Sequence, residues 1–182
     1  MRKILLFVWA CMGLVCLMSA CKTSVKSKEW KLVWVEDFDQ KNSFDESVWT
    51  KIPRGTSDWN NYMSYYDSCY AMQDGNLILR GIANHTQKND TAPYLTGGVY
   101  TKGKKLFTGG RVEVCDRLQA AKGAWPAIWM LPEKAEWPKG GEIDIMERLN
   151  HDHIAYQTTH SYYTHILGIK DNPPHGGINK IN

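Results

Sequence analysis

Apolar and polar residues alternate with a period of two in five stretches of this chain: LVWVEDF (32–38), NLILRGI (76–82), GGVYTK (97–102), GRVEVCDRL (110–118) and AYQTTHSYY (155–163). A period of two sends successive side chains to opposite faces of a strand, whereas a helix needs apolar positions three and four apart. In the fourth stretch Val112, Val114 and Leu118 share one face, opposite Arg111, Glu113 and Arg117. Turn-forming runs separate the stretches: PRGTSDWNN, QDGN, TGG, AAKGAWP and KGG, with Asp74-Gly75 predicted to form a tight turn. No window carries a sustained helical stripe with a cap. Many short strands punctuated by turns predict an all-β sandwich or barrel and exclude alternating βαβ units.

The N-terminus belongs to export, not to the fold. Arg2 and Lys3 precede an apolar run, Ile4 to Met18, that is too short for a comfortable membrane span. It ends in MSAC, where small residues before Cys21 resemble the lipobox of a bacterial lipoprotein. Residues 1–20 are therefore expected to be a lipoprotein-type signal peptide, with Cys21 the lipidated N-terminus. Residues 21–29 form a polar linker and 30–182 the domain. The expected location is the outer membrane or cell surface, through an N-terminal lipid anchor; a periplasmic or secreted protein is the alternative. Cys11, Cys16 and Cys21 lie in the leader, which leaves Cys69 and Cys115 as the one pair that a bridge could join. The chain ends at INKIN without a final apolar strand or helix. All-β domains commonly run to about 200–250 residues, so a C-terminally truncated fragment is expected.

Charge narrows the partners. Without Arg2 and Lys3 the chain has 20 basic residues against 19 acidic ones, and no basic stripe suited to nucleic acid. Eight Trp and nine Tyr in 182 residues argue against disorder and favour a weakly charged ligand. A monomer is expected.

The stretch GEIDIMERLN (141–150) is the odd one. Glu142, Ile143, Asp144 and Ile145 alternate, but in a regular strand Glu147 would share the face of the two isoleucines. An unpaired charge there costs several kcal/mol. A helix fits no better, since Glu142 and Asp144 would point about 200° apart and β-branched residues after two glycines start helices poorly. One extra residue, a β-bulge near Ile145-Met146, returns Glu147 to the face of Glu142 and Asp144. Three crowded carboxylates repel and raise at least one pKa. One ionised and one protonated carboxyl are what glycosidic bond cleavage uses, and a spacing of one bulged step suits the roughly 5–5.5 Å of retaining enzymes.

The run Glu142-Ile-Asp-Ile-Met-Glu147 resembles the E-x-D-x-x-E signature of glycoside hydrolase family 16, the laminarinase-like β-glycanases with a β-jelly-roll of two antiparallel sheets. WVEDF (34–38), DGNLILR (74–80), GGVYTKGK (97–104), GRVEV (110–114) and GAWPAIWMLP (123–132) are similar to the family's successive blocks, in order. The resemblance covers about residues 30–165, and the family's later strands have no counterpart here. It implies Glu142 as nucleophile, Glu147 as general acid/base and Asp144 as the group that orients and tunes the nucleophile. Double displacement would retain the anomeric configuration. No cofactor is required. A structural calcium ion, held in part by Asp37 and Gly75, is a further implication.

Sugar faces stack on aromatic rings, which makes Trp125 and Trp129, on a segment that the resemblance places along the cleft floor, candidate substrate contacts; two core tryptophans are the plainer reading. Asn61, in the loop SDWNNYMSYY, is a candidate sugar contact or a turn cap. His160 shares a predicted strand face with Tyr156, Thr158 and Tyr162, and similar proteins place a histidine near the leaving-group side. His151, His153 and His160 lack a recognisable metal-ligand spacing. The expected function is a retaining endo-β-glycosidase acting on β-1,3- or mixed-linkage glucan. The alternatives are an endo-β-galactosidase on host or algal glycans, which the long loop IPRGTSDWNNY favours, and a non-catalytic glycan-binding surface lipoprotein.

Overall fold

The computed structural model describes residues 29–40, 42–119, 121–170 and 176–181. The leader, Cys21 and most of the polar linker lie outside the described residues. The chain divides into two units, Met1–Val35 and Glu36–Asn182. In the first, the described residues 29–35 run as irregular, mostly exposed chain.

Among the described residues the second unit holds ten strands: β1 (Thr50–Lys51), β2 (Tyr70–Gln73), β3 (Asn76–Leu79), β4 (Gly81–Ala83), β5 (Tyr94–Thr96), β6 (Val99–Tyr100), β7 (Ala127–Met130), β8 (Glu142–Glu147), β9 (Ile154–His160) and β10 (Gly176–Lys180). One α-helix of four residues, α1 (Tyr162–His165), accompanies them. Every strand pairing is antiparallel. The largest sheet has the order β10-β9-β8-β7; the pairs β1-β6, β2-β3 and β4-β5 make the others. The all-β expectation therefore holds.

Asp74 and Gly75 close the β2–β3 hairpin with φ of 52° and 69°. Positive φ at both central residues is the turn whose twist matches that of the flanking strands, which explains the Asp-Gly pair. The predicted single strand 76–82 is instead two. At Arg80 the chain changes partner: its N–H bonds Cys69 O at 2.9 Å, and its carbonyl accepts from Gly97 N at 2.9 Å. Phe44, Cys69 and Leu95 are buried in this region, with Phe44 tilted against the Tyr70 ring at 6.2 Å.

Several expectations are corrected. Residues 32–38 and 111–119 are irregular chain, with Val33, Val35, Val112 and Val114 exposed. Alternation fixes which faces a strand would present, but a strand also needs an edge to join, and none of the described sheets includes either run. The stretch 155–163 ends as a strand at His160, because Ser161 caps α1: its Oγ accepts from Thr164 N at 3.2 Å while Thr164 Oγ1 accepts from Ser161 N at 3.1 Å. Tyr162 thus leaves the strand face assigned to it. The C-terminal stretch does contain a strand, β10, exposed along its length and held to β9 by its main chain. Cys69 is buried, Cys115 is exposed, and both are free thiols, so no bridge joins them.

Gly97 is a packing requirement of this arrangement. A Cβ there would sit 2.5 Å from Cys69 O. Gly97→Ala is expected to destabilise the fold by about 1–3 kcal/mol, read as a lower urea midpoint at unchanged slope; an unaltered midpoint would contradict the close approach.

Candidate active site

β8 lies between β7 and β9 and carries the three acids. Against β7, Ile128 pairs with Met146 but Trp129 with Asp144. Against β9, Asp144 pairs with Thr158 and Glu147 with Tyr156. Both neighbours therefore lose one residue relative to β8, and Ile145 is the extra one. This is the bulge that Glu147 demanded. It leaves Met146 buried and Ile143 51 % exposed on the opposite side of the strand, and turns Glu147 to the face of Glu142 and Asp144.

Each acid meets a different partner. Trp137 Nε1 donates to Glu142 Oε2 at 2.6 Å. Trp125 Nε1 donates to Glu147 Oε1 at 2.8 Å. Asp144 Oδ2 lies 3.1 Å from His160 Nε2, an ion pair whenever the imidazole is protonated. Asp144 is the buried member, 5 % exposed. Its carboxyl is pushed up to about 6, first by burial, then by the charges of Glu147 and Glu142, with His160 pulling the other way.

The aromatic surround comes from three segments. Trp129 stands opposite Asp144 in the ladder. Trp125 precedes β7 instead of lying on it, yet still reaches Glu147. Trp59 meets Trp129 edge to face, with centroids 5.2 Å apart. The loop bearing Trp59 is held at its base by Arg54, which pairs both Asp90 oxygens at 2.6 and 2.7 Å and donates to Met63 O. Asn61 sits in the same loop; its N–H bonds Ser57 O, and its Oδ1 is buried without a partner. Tyr156, Thr158 and His160 face Glu147, Asp144 and Glu142 in the register of β9.

Two residues escaped the sequence reading. Trp137, five positions before Glu142, sits against His165 with centroids 4.4 Å apart, and His165 in turn is 6.1 Å from His160. Only the WPKGGE spacing hinted at Trp137; nothing hinted at His165. Asp37 and Gly75, named from sequence for calcium, lie close together. Asp37 O and Asp39 Oδ1 lie 3.6 and 3.5 Å from where a Gly75 Cβ would stand.

A family model described as "XgeA-like, catalytic GH16 domain" matches residues 54–175. The keratan-sulfate endo-1,4-beta-galactosidase of Sphingobacterium multivorum is 41% identical over 144 residues, covering 76% of this chain and 34% of that protein. A beta-glucanase of Rhodothermus marinus is 33% identical over 163 residues, covering 84% of this chain and 56% of that protein. The catalytic domain of an endo-1,3-beta-glucanase (laminarinase) from Thermotoga petrophila superposes with a TM-score of 0.69 at 29% identity, over 85% of this chain and 64% of that one. The chain thus spans between a third and rather more than half of the length of these curated relatives. It belongs to glycoside hydrolase family 16, and its fold is that family's β-jelly-roll sandwich.

The raised Asp144 pKa links the site to stability. The fold binds this proton more tightly than the unfolded chain does. The resulting stability is complete below about pH 3.8 and is lost as pH rises through about 6. Asp144→Asn cannot lose it. The melting temperature of Asp144→Asn minus that of the parent should therefore climb between those limits and level off above them; a difference independent of pH would contradict the burial of an ionising Asp144.

Proposed function

We propose that this chain carries the catalytic strand of a retaining endo-β-glycosidase that cleaves internal bonds of a β-linked polysaccharide. The observation that carries this reading is the meeting of Glu142, Asp144 and Glu147 on one face of a bulged strand. A protein that merely bound glycans would have no use for mutually repelling acids on a surface that uncharged groups could fill.

In the proposed cycle Glu142 attacks the anomeric carbon, held in position by the Trp137 indole N–H. Glu147, fixed by Trp125, gives its proton to the departing glycosidic oxygen. Glu147 then draws a proton from water as that water releases the sugar from Glu142, and two inversions restore the configuration. Asp144 keeps a proton up to about pH 6 and so limits the negative charge beside the nucleophile. Trp125, Trp129 and His160 supply sugar contacts around the scissile bond, with Asn61 reaching in from the loop above Trp129. A calcium ion at Asp37, Asp39 and Gly75 would brace the β2–β3 turn and take no part in the chemistry.

For the glycan, the 41% identity to a keratan-sulfate endo-1,4-beta-galactosidase favours a galactose-containing chain. A β-1,3- or mixed-linkage glucan is the second reading, favoured by the laminarinase-like backbone. Export and lipidation at Cys21 complete the proposal; loss of radiolabelled lipid in Cys21→Ala tests them.

Purified protein offered keratan sulfate, poly-N-acetyllactosamine, laminarin and mixed-linkage glucan should release reducing ends from the galactose-containing chains, with the β-anomer formed first by NMR. Glu147→Gln should slow turnover by about 10²–10⁴-fold, and Glu142→Gln at least as much. Undiminished hydrolysis by Glu142→Gln would remove the assigned nucleophile, and an α-anomer as first product would exclude retention. The rate should follow a bell with its peak at about pH 5–7; a flat profile over that range would contradict a two-carboxylate mechanism.

A further inference from the structure

Among the described residues, Glu142, Asp144 and His160 are the group of three His, Cys, Asp or Glu side chains placed to share an ion. One carboxylate oxygen from each acid and one imidazole nitrogen all lie within 4.8 Å of one another. Clustered acids alone do not make a metal site. The second observation is the state of Asp144. It is 5 % exposed, its Oδ2 is buried with no hydrogen-bond partner, and that atom is aimed at His160 Nε2 from 3.1 Å. Asp144 Oδ2 and His160 Nε2 thus converge on one point.

We propose that Glu142, Asp144 and His160 bind a divalent transition-metal ion, with Zn²⁺ the best match, and that the bound ion blocks the carboxylate cluster. An imidazole with two carboxylates suits Zn²⁺ better than the hard, oxygen-seeking Ca²⁺ or Mg²⁺. Two carboxylates neutralise the dication, and three protein ligands leave a fourth tetrahedral position for water or a sugar hydroxyl. Donors about 2.1 Å from a tetrahedral ion stand roughly 3.4 Å apart. The Asp144–His160 pair already meets that spacing. Glu142, the more accessible acid, need approach by about 1.4 Å at most to complete the set. Trp137 engages one of its oxygens, Oε2. Occupation of the site would occupy Glu142 and place a positive charge beside it.

The site goes beyond the hydrolase reading, and its test needs no turnover. Titrating ZnCl₂ into the purified full chain at pH 7, followed by calorimetry, should show one equivalent bound. His160→Ala and Glu142→Gln should each weaken that binding by more than about 10-fold. The double variant His151→Ala/His153→Ala, at histidines outside the cluster, should bind as the parent does. Co²⁺ in place of Zn²⁺ should give the intense visible absorption of a tetrahedral site, lost in His160→Ala. Using two single variants guards against one that fails to fold, which circular dichroism would show. Absence of binding in the parent, binding unchanged in His160→Ala, or binding abolished only in the His151/His153 double variant would overturn the proposal.

Discussion

One extra residue in a six-residue strand decides what this molecule can do. With Ile145 accommodated as a bulge, β8 shows Glu142, Asp144 and Glu147 on one side and keeps Met146 buried on the other. Without it, Glu147 would enter the apolar side and the cluster would shrink to two acids. The bulge is a response to that conflict: distorting a ladder costs less than burying an unpaired carboxylate. The position of β8 inside the four-stranded sheet stabilises the distortion, because β7 and β9 both register it.

The acids would repel one another if left to water alone, so their surroundings matter. Two indole N–H groups, from Trp137 and Trp125, hold the outer pair from opposite ends of the strand. Asp144 in the middle takes the electrostatic consequence, and its carboxyl holds a proton to about pH 6. The site therefore keeps its central charge adjustable while its flanking carboxylates stay fixed in place. A loop clamped by Arg54 and Asp90 sets Trp59 against Trp129.

Much of this is legible in the sequence. The bulge could be read because a charge on an apolar face is expensive enough to override regularity, and the Asp74-Gly75 turn because positive φ restricts residue choice so strongly. Family blocks in order located the site. What stayed hidden depends on partners. The runs at 32–38 and 111–119 alternate correctly, yet alternation says nothing about which edge a strand joins. Helix α1 has four residues and rests on a Ser161–Thr164 cap, too short for any periodicity. β10 is held by main-chain bonds through Gly176 and Gly177, and so carries no apolar signature. Trp137 and His165 meet only through the fold.

The shared face of the three acids can be measured at a single nucleus. In a protein with ¹³C-labelled aspartate carboxyls, the Asp144 resonance should titrate with a midpoint of about 6. That midpoint should drop in Glu147→Gln and, by less, in Glu142→Gln. A midpoint in the ordinary aspartate range, about 3.9, or one indifferent to Glu147→Gln, would mean that Glu147 points elsewhere.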